Sequence, residues 1–246
     1  MRKYWLTVTG ACFAALFAFL FVVGCDLDGS SVGGPTAADD PSPSAGELHN
    51  RVLEKIHAVC DEPSLSKTEK LTRTTAAVGA FALEHGMEPP TADDVNLYIE
   101  RGRKIALQAL EDPSILAATA FTGEDLLWWE RFTEEACSPD ARAVYEEHCA
   151  LYGAPRKGSV LDYAADIWVH SAEYWIARHA DEWVSGGMTK LQDEQSRLLR
   201  FVVMVAVDGI AGGISGASAG PVVGGIIGGL ASNGADDILF GDDDEV

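Results

Sequence analysis

Apolar residues recur at three- and four-residue intervals through most of the chain, a period that predicts helices. The first stripe is Leu48, Val52, Leu53, Ile56, Val59 and Cys60, and Ser44 and Glu47 ahead of it have the spacing of a capping box. Ser66-Lys-Thr-Glu69 is a second capping box, opening a helix to about Glu84. Thr91-Ala-Asp-Asp94 starts a third, with Val95, Tyr98, Ile99, Gly102, Ile105, Ala106 and Leu110 facing inward. Asp112-Pro113 and Ser138-Pro139 each set an N-cap before a proline. Between them Thr122-Gly-Glu-Asp125 begins a short helix bearing Leu126, Trp129 and Phe132, and from Ala141 the stripe is Val144, Tyr145, His148, Cys149 and Tyr152. A further helix over about 159–184 has Leu161, Ala165, Trp168, Ala172, Trp175, Ile176 and His179 on one face. Its tryptophans Trp168, Trp175 and Trp183 fall nearly in line and read as core anchors, with an indole-lined cleft as the alternative. No segment alternates with period two between hairpin turns, so the expected fold class is all-α, a multi-helix domain.

The pattern changes after Leu198, Leu199, Val202 and Val203. From Gly209 to Ala235 there are 27 residues without a charge, holding ten of the 25 glycines. Gly212, Gly216, Gly220, Gly224 and Gly228 recur every four residues, with a parallel row of Gly213, Ala217, Pro221, Gly225 and Gly229. Glycine costs about 1 kcal/mol per helical position against alanine, so such a helix needs a close-packed neighbour. Gly220-Pro221 predicts a break, giving a helical hairpin or a kinked helix. The arms either enter a membrane, where they could self-associate, or pack into the helical domain. The 27 uncharged residues favour the first; weak hydrophobicity, Asp208 at the edge and a second arm of only 14 residues from Val222 to Ala235 favour the second.

At the other end, Met1-Arg2-Lys3 precedes an apolar run from Trp5 to Val23, the form of an export signal. Val22-Val23-Gly24-Cys25 resembles the lipobox of bacterial lipoproteins, which implies cleavage before Cys25 and acylation of that cysteine. Residues 26–46 are mostly Gly, Ser, Pro, Asp and Ala, a tether of 21 residues. It would average roughly 25 Å as a coil and reach about 70 Å at most. The chain therefore divides into a signal peptide (1–24), lipidated cysteine and tether (25–46), helical domain (47–200), glycine-zipper-like apolar segment (201–235) and acidic tail (236–246).

Three further elements carry a resemblance: His49-Asn50-Arg51-Val52-Leu53 at a helix start, Ser171-Ala172-Glu173-Tyr174-Trp175, and the glycine- and alanine-rich tail. With the lipobox they resemble a loose family of uncharacterised bacterial lipoproteins. The resemblance implies a location and an architecture and brings no activity with it. It singles out His49 and Asn50, which otherwise read as a structural polar contact.

Composition narrows the partners. A net charge of −20 argues against gripping nucleic-acid phosphates. Asp162, Asp166, His170 and Glu173, spaced four, four and three, share one helical face and form a possible metal or polar site, against the plainer reading of a solvated acidic face. No second copy of the pattern supplies matching ligands, and no cofactor is expected. Gly216-Ala217-Ser218-Ala219-Gly220 matches a hydrolase elbow by spelling alone, because no histidine follows it. Cys60, Cys137 and Cys149 allow one disulfide in any of three pairings.

The expected function is a lipid-anchored cell-envelope protein, more structural or interacting than enzymatic. Its partners would be a membrane through Cys25 and helices through the glycine-rich segment, on an inner or outer membrane not decided. The alternatives are an envelope metal-binding protein or enzyme using the acidic/His face, and a bacteriocin-like membrane-active protein.

Overall fold

The computed structural model describes residues 42–62, 64–111, 117–118, 120–135, 140–178 and 191–239. The signal peptide, Cys25, most of the tether, the 112–113 and 138–139 caps, Cys137, Trp183 and residues 240–246 lie outside the described residues. Within them the chain is all-α, with eight helices and no strand. These are α1 (Ala45–Cys60), α2 (Lys67–Glu84), α3 (Ala92–Glu111), α4 (Gly123–Glu135), α5 (Ala141–Tyr152), α6 (Val160–Arg178), α7 (Leu191–Ala219) and α8 (Pro221–Leu239).

The caps do what their spacing predicts. Ser44 and Ser66 each accept the N–H of the residue three on, Glu47 or Glu69, whose carboxylate accepts the cap's own N–H. Because Ser44 is the N-cap, the folded body begins at Ala45, two residues before the predicted boundary. Thr91 and Asp94 make the same exchange at α3, with a carboxylate one atom shorter.

Most of the predicted inward stripes enter the core, although Tyr152, at the end of the α5 stripe, is exposed. Leu48, Val52, Leu53 and Ile56 of α1, Val95, Tyr98, Ile99, Ile105 and Ala106 of α3, and Leu161, Ala165, Trp168, Ala172 and Trp175 of α6 are all buried. Trp168 stands edge-on to Trp129 of α4 at 5.3 Å, and Trp129, Phe132, Tyr145 and His148 extend this aromatic layer across α4 and α5. Edge-to-face packing of this kind adds to the large area that indole rings bury.

The glycine-rich segment forms a hairpin at the centre of the domain. Gly220, at φ +92°, turns the chain between α7 and α8. An L side chain resists that backbone geometry, so glycine belongs there. The first predicted glycine row, at 212, 216, 224 and 228, lines the seam between the arms and also touches Ile167 and Tyr163 of α6 and His49 of α1. A methyl on Gly224 would lie 2.8 Å from the Gly212 carbonyl oxygen and 2.9 Å from Gly216 Cα. The second row faces outward. Gly213 meets the Val160 carbonyl and Ala164 of α6, Gly225 meets Leu48 and the His49 amide of α1, and Gly229 meets Val52. Gly102 of α3 in turn abuts the Ala231 carbonyl of α8, and Gly234 abuts that of Ile99.

Of the two settings weighed for this segment, the structure has the arms packed into the helical domain. Segment 201–235 is therefore the domain's centre, and the boundary at residue 200 falls inside the continuous helix α7. The second arm extends to Leu239, so Asp236 lies in a helix. Arg200–Ala219 is long and apolar enough to cross a membrane, but most of it is buried by the surrounding helices.

Candidate functional site

Four helices contribute polar side chains to one sealed cluster. Asp208 of α7 is its hub, and it is 0% exposed, as are His49 of α1, Ser171 of α6 and Ser232 of α8. Ser171 Oγ–H donates to Asp208 Oδ2, and Trp175 Nε1–H donates to the same oxygen at 3.0 Å and to Ser232 Oγ at 3.1 Å. His49 Nε2 stands 3.4 Å from Asp208 Oδ2. Asp208 Oδ1 has no hydrogen-bond partner among the described residues.

The surrounding sequence builds this pocket. One turn into α1, His49 rests over Gly228, where a side chain would lie 3.1 Å from the imidazole carbon. Its Nδ1–H donates to Asn50 Oδ1 at 3.0 Å, and Asn50 Nδ2–H donates to the His170 carbonyl at 2.9 Å. Asn50 thus ties α1 to α6 while holding the His49 ring. Sequence segments far apart in the chain, His49-Asn50, Ser171 with Trp175, and the glycine-rich tail, meet here.

Asp208 and Ser232 were not singled out from sequence. The available signal was that Asp208 is the last charge before 27 uncharged residues, which marks a carboxylate carried into a core. Although serine, histidine and aspartate assemble, they are not ordered as a nucleophilic triad. Ser171 gives its proton to the carboxylate and not to the imidazole, and no atom of it meets solvent. A cluster of this kind holds a register.

The acidic/His face of α6 is divided among local tasks. Asp162 Oδ2 accepts the Gly158 N–H at 2.8 Å, closing the loop before α6. Glu173 pairs with Arg142 of α5 through two bonds of 3.0 and 3.1 Å. The same guanidinium lies 3.2 Å from His170 Nε2, so Arg142 joins Glu173 to the pair that His170 makes with Asp166. Asp166 Oδ2 accepts the Gly46 N–H at 2.8 Å, and His170 Nδ1 lies 2.9 Å from the Asp166 carbonyl and 3.4 Å from Oδ1. Burial pushes the Asp166 carboxyl up, but the His170 and Gly46 hydrogen bonds outweigh it and hold the group below the usual carboxylate value. Burial likewise pushes His170 down, and its bonds to Asp166 reverse this and raise it. Among the described residues, no three His, Cys, Asp or Glu side chains gather as a metal site.

Beside this face runs an open groove of about 580 Å³ between α1 and α6, lined by Asn50, Glu54, Glu173, Tyr174, Ala177 and Arg178. Burial pushes the Tyr174 hydroxyl up to about 12, and it lies 2.6 Å from His57 Nδ1. Arg178 closes one end through a two-bond pair with Asp61. Cys60 and Cys149 are both free thiols. No family model matches the chain, and neither the characterised proteins nor the solved structures compared with it include a match.

Proposed function

We propose that this chain is a lipid-anchored protein of the bacterial cell envelope, acting as a structural or interaction module. The observation that carries the reading is the order of segments: an export signal ending Val22-Val23-Gly24-Cys25, a Gly/Ser/Pro/Asp tether, and a body that starts at the Ser44 cap. The acyl chains would hold the protein on a bilayer, each buried methylene contributing about 0.8 kcal/mol. The sealed state of the Asp208 cluster and the commitment of the glycine rows to internal contacts support a rigid body working through its outer surface.

The test is acyl labelling in a bacterial host. Wild-type chain is expected to incorporate labelled palmitate and to fractionate with membranes. Cys25→Ser is expected to lose the label and to keep the uncleaved signal. An unlabelled wild type, or a Cys25→Ser chain that still incorporates palmitate, would refute the anchoring.

A further inference from the structure

Three features share one end of the domain. α1 runs in the same direction as α8, since Leu48 meets Gly225 and Val52 meets Gly229. The start of α1, where the chain arrives from Cys25, therefore lies level with the start of α8. α6 runs opposite to α7, with Ser171 at Asp208, Ala164 at Gly209 and Gly213, and Tyr163 at Gly216. The loop before α6, holding the exposed Arg156 and Lys157, consequently lies at that same end. Between these two points the hairpin apex reaches the surface. Ala217, Ser218 and Ala219 are exposed, and Ile214, Gly220, Pro221 and Val222 are half-buried.

The exposed apex stands out in a protein of charge −20. The apex has no charge, and two neighbouring carboxylates are occupied in caps: Glu47 accepts the Ser44 N–H at 3.0 Å, and Asp162 accepts the Gly158 N–H. Glu111 falls near this level by the register of α3 on α8, in which Gly102 meets Ala231. The opposite end has Asp61, Glu62, Arg178 and Asp236.

We propose that this end rests on the lipid bilayer, with the hairpin apex dipping among the headgroups and Arg156 and Lys157 facing lipid phosphates. The inference deepens the anchoring proposal and rests on it: the tether joins the domain at Ser44, so this is the end of the domain nearest its membrane attachment. Uncharged surface is tolerated in the interfacial layer, and lysine or arginine near an anionic surface adds electrostatic attraction. The hairpin keeps its place in the core throughout, so contact requires no opening of the fold.

The contact can be tested independently of acylation. The chain from residue 25 is held by an amino-terminal histidine tag on vesicles of phosphatidylcholine, phosphatidylglycerol and a nickel-chelating lipid. The photoreactive residue p-benzoylphenylalanine replaces Ser218 or, as the reference near the far end, the exposed Ala58. Several-fold more lipid adduct from position 218 is expected, falling to the reference level when Ala219→Asp is added and reduced by Lys157→Glu. Equal lipid adducts at the two positions, or protein–protein adducts from position 218, would overturn the proposal. Because the tag replaces the acyl chains, a failure here is separate from a failure of Cys25 labelling.

Discussion

A single aspartate at position 208 links α7 to two of the other helices around it. Removing it leaves the Ser171 hydroxyl and one acceptor of the Trp175 N–H lost in a site closed to water. Breaking a buried charged cluster from one side costs several kcal/mol, so Asp208→Ala is expected to lower stability by about 3 kcal/mol or more in urea unfolding. Asp208→Asn keeps an oxygen for Trp175 and is expected to lose less. Equal, small losses for both would show that the cluster holds nothing together. The Asp166–His170 pair gives a prediction about pH. Asp166, held low, stabilises above its ordinary 3.8 and stops doing so as pH falls through its lower folded value. His170, held high, stabilises below its ordinary 6.5 and stops as pH rises through its higher folded value. The stability difference between wild type and Asp166→Asn is therefore expected to be greatest between those two ordinary values and to shrink on either side. Unfolding midpoints at a series of pH values would show it, and a difference independent of pH would contradict the pairing.

Among the elements, the hairpin depends most on particular residues. Gly102, Gly224 and Gly225 each face backbone atoms, so an added methyl must push helices apart. Overpacking of this kind costs about 1–3 kcal/mol, and Gly224→Ala is expected to lie in that range by thermal or urea unfolding. Gly220→Ala has open space around it but forces a side chain into a left-handed backbone, costing about 1–2 kcal/mol. Ser218→Ala, on the exposed apex, is expected to change stability little. The helices were legible because caps and stripes are local: Ser44 with Glu47, Ser66 with Glu69, and the three- and four-residue period read directly from the chain. The hairpin turn was legible as Gly220-Pro221. What the four-residue glycine rows could not say was which neighbour they face, because a close-packed helix looks the same in sequence beside a lipid-embedded partner or a soluble one. The helix contacts of α8 with α1, α3 and α7 answer it for this fold.

For the whole molecule, the same limit applies to the site. His49-Asn50 and Ser171 to Trp175 stand out in the sequence, but their meeting place depends on His49 and Asp208, 159 positions apart. Asp162, Asp166, His170 and Glu173 share a helical face by spacing, yet Gly158 draws Asp162 into a loop closure, while Gly46 and Arg142 engage the other three as one chain of contacts. Those partners come from elsewhere in the fold and leave no mark on the spacing. A glycine-rich hairpin serves as the centre of the helical domain. Hydrogen exchange on the chain from residue 25 in detergent-free buffer measures this directly. The amides of 209–216 and 223–235 are predicted to be among the slowest to exchange, opening only with global unfolding. Rapid exchange there, while α1, α3 and α6 remain protected, would contradict it.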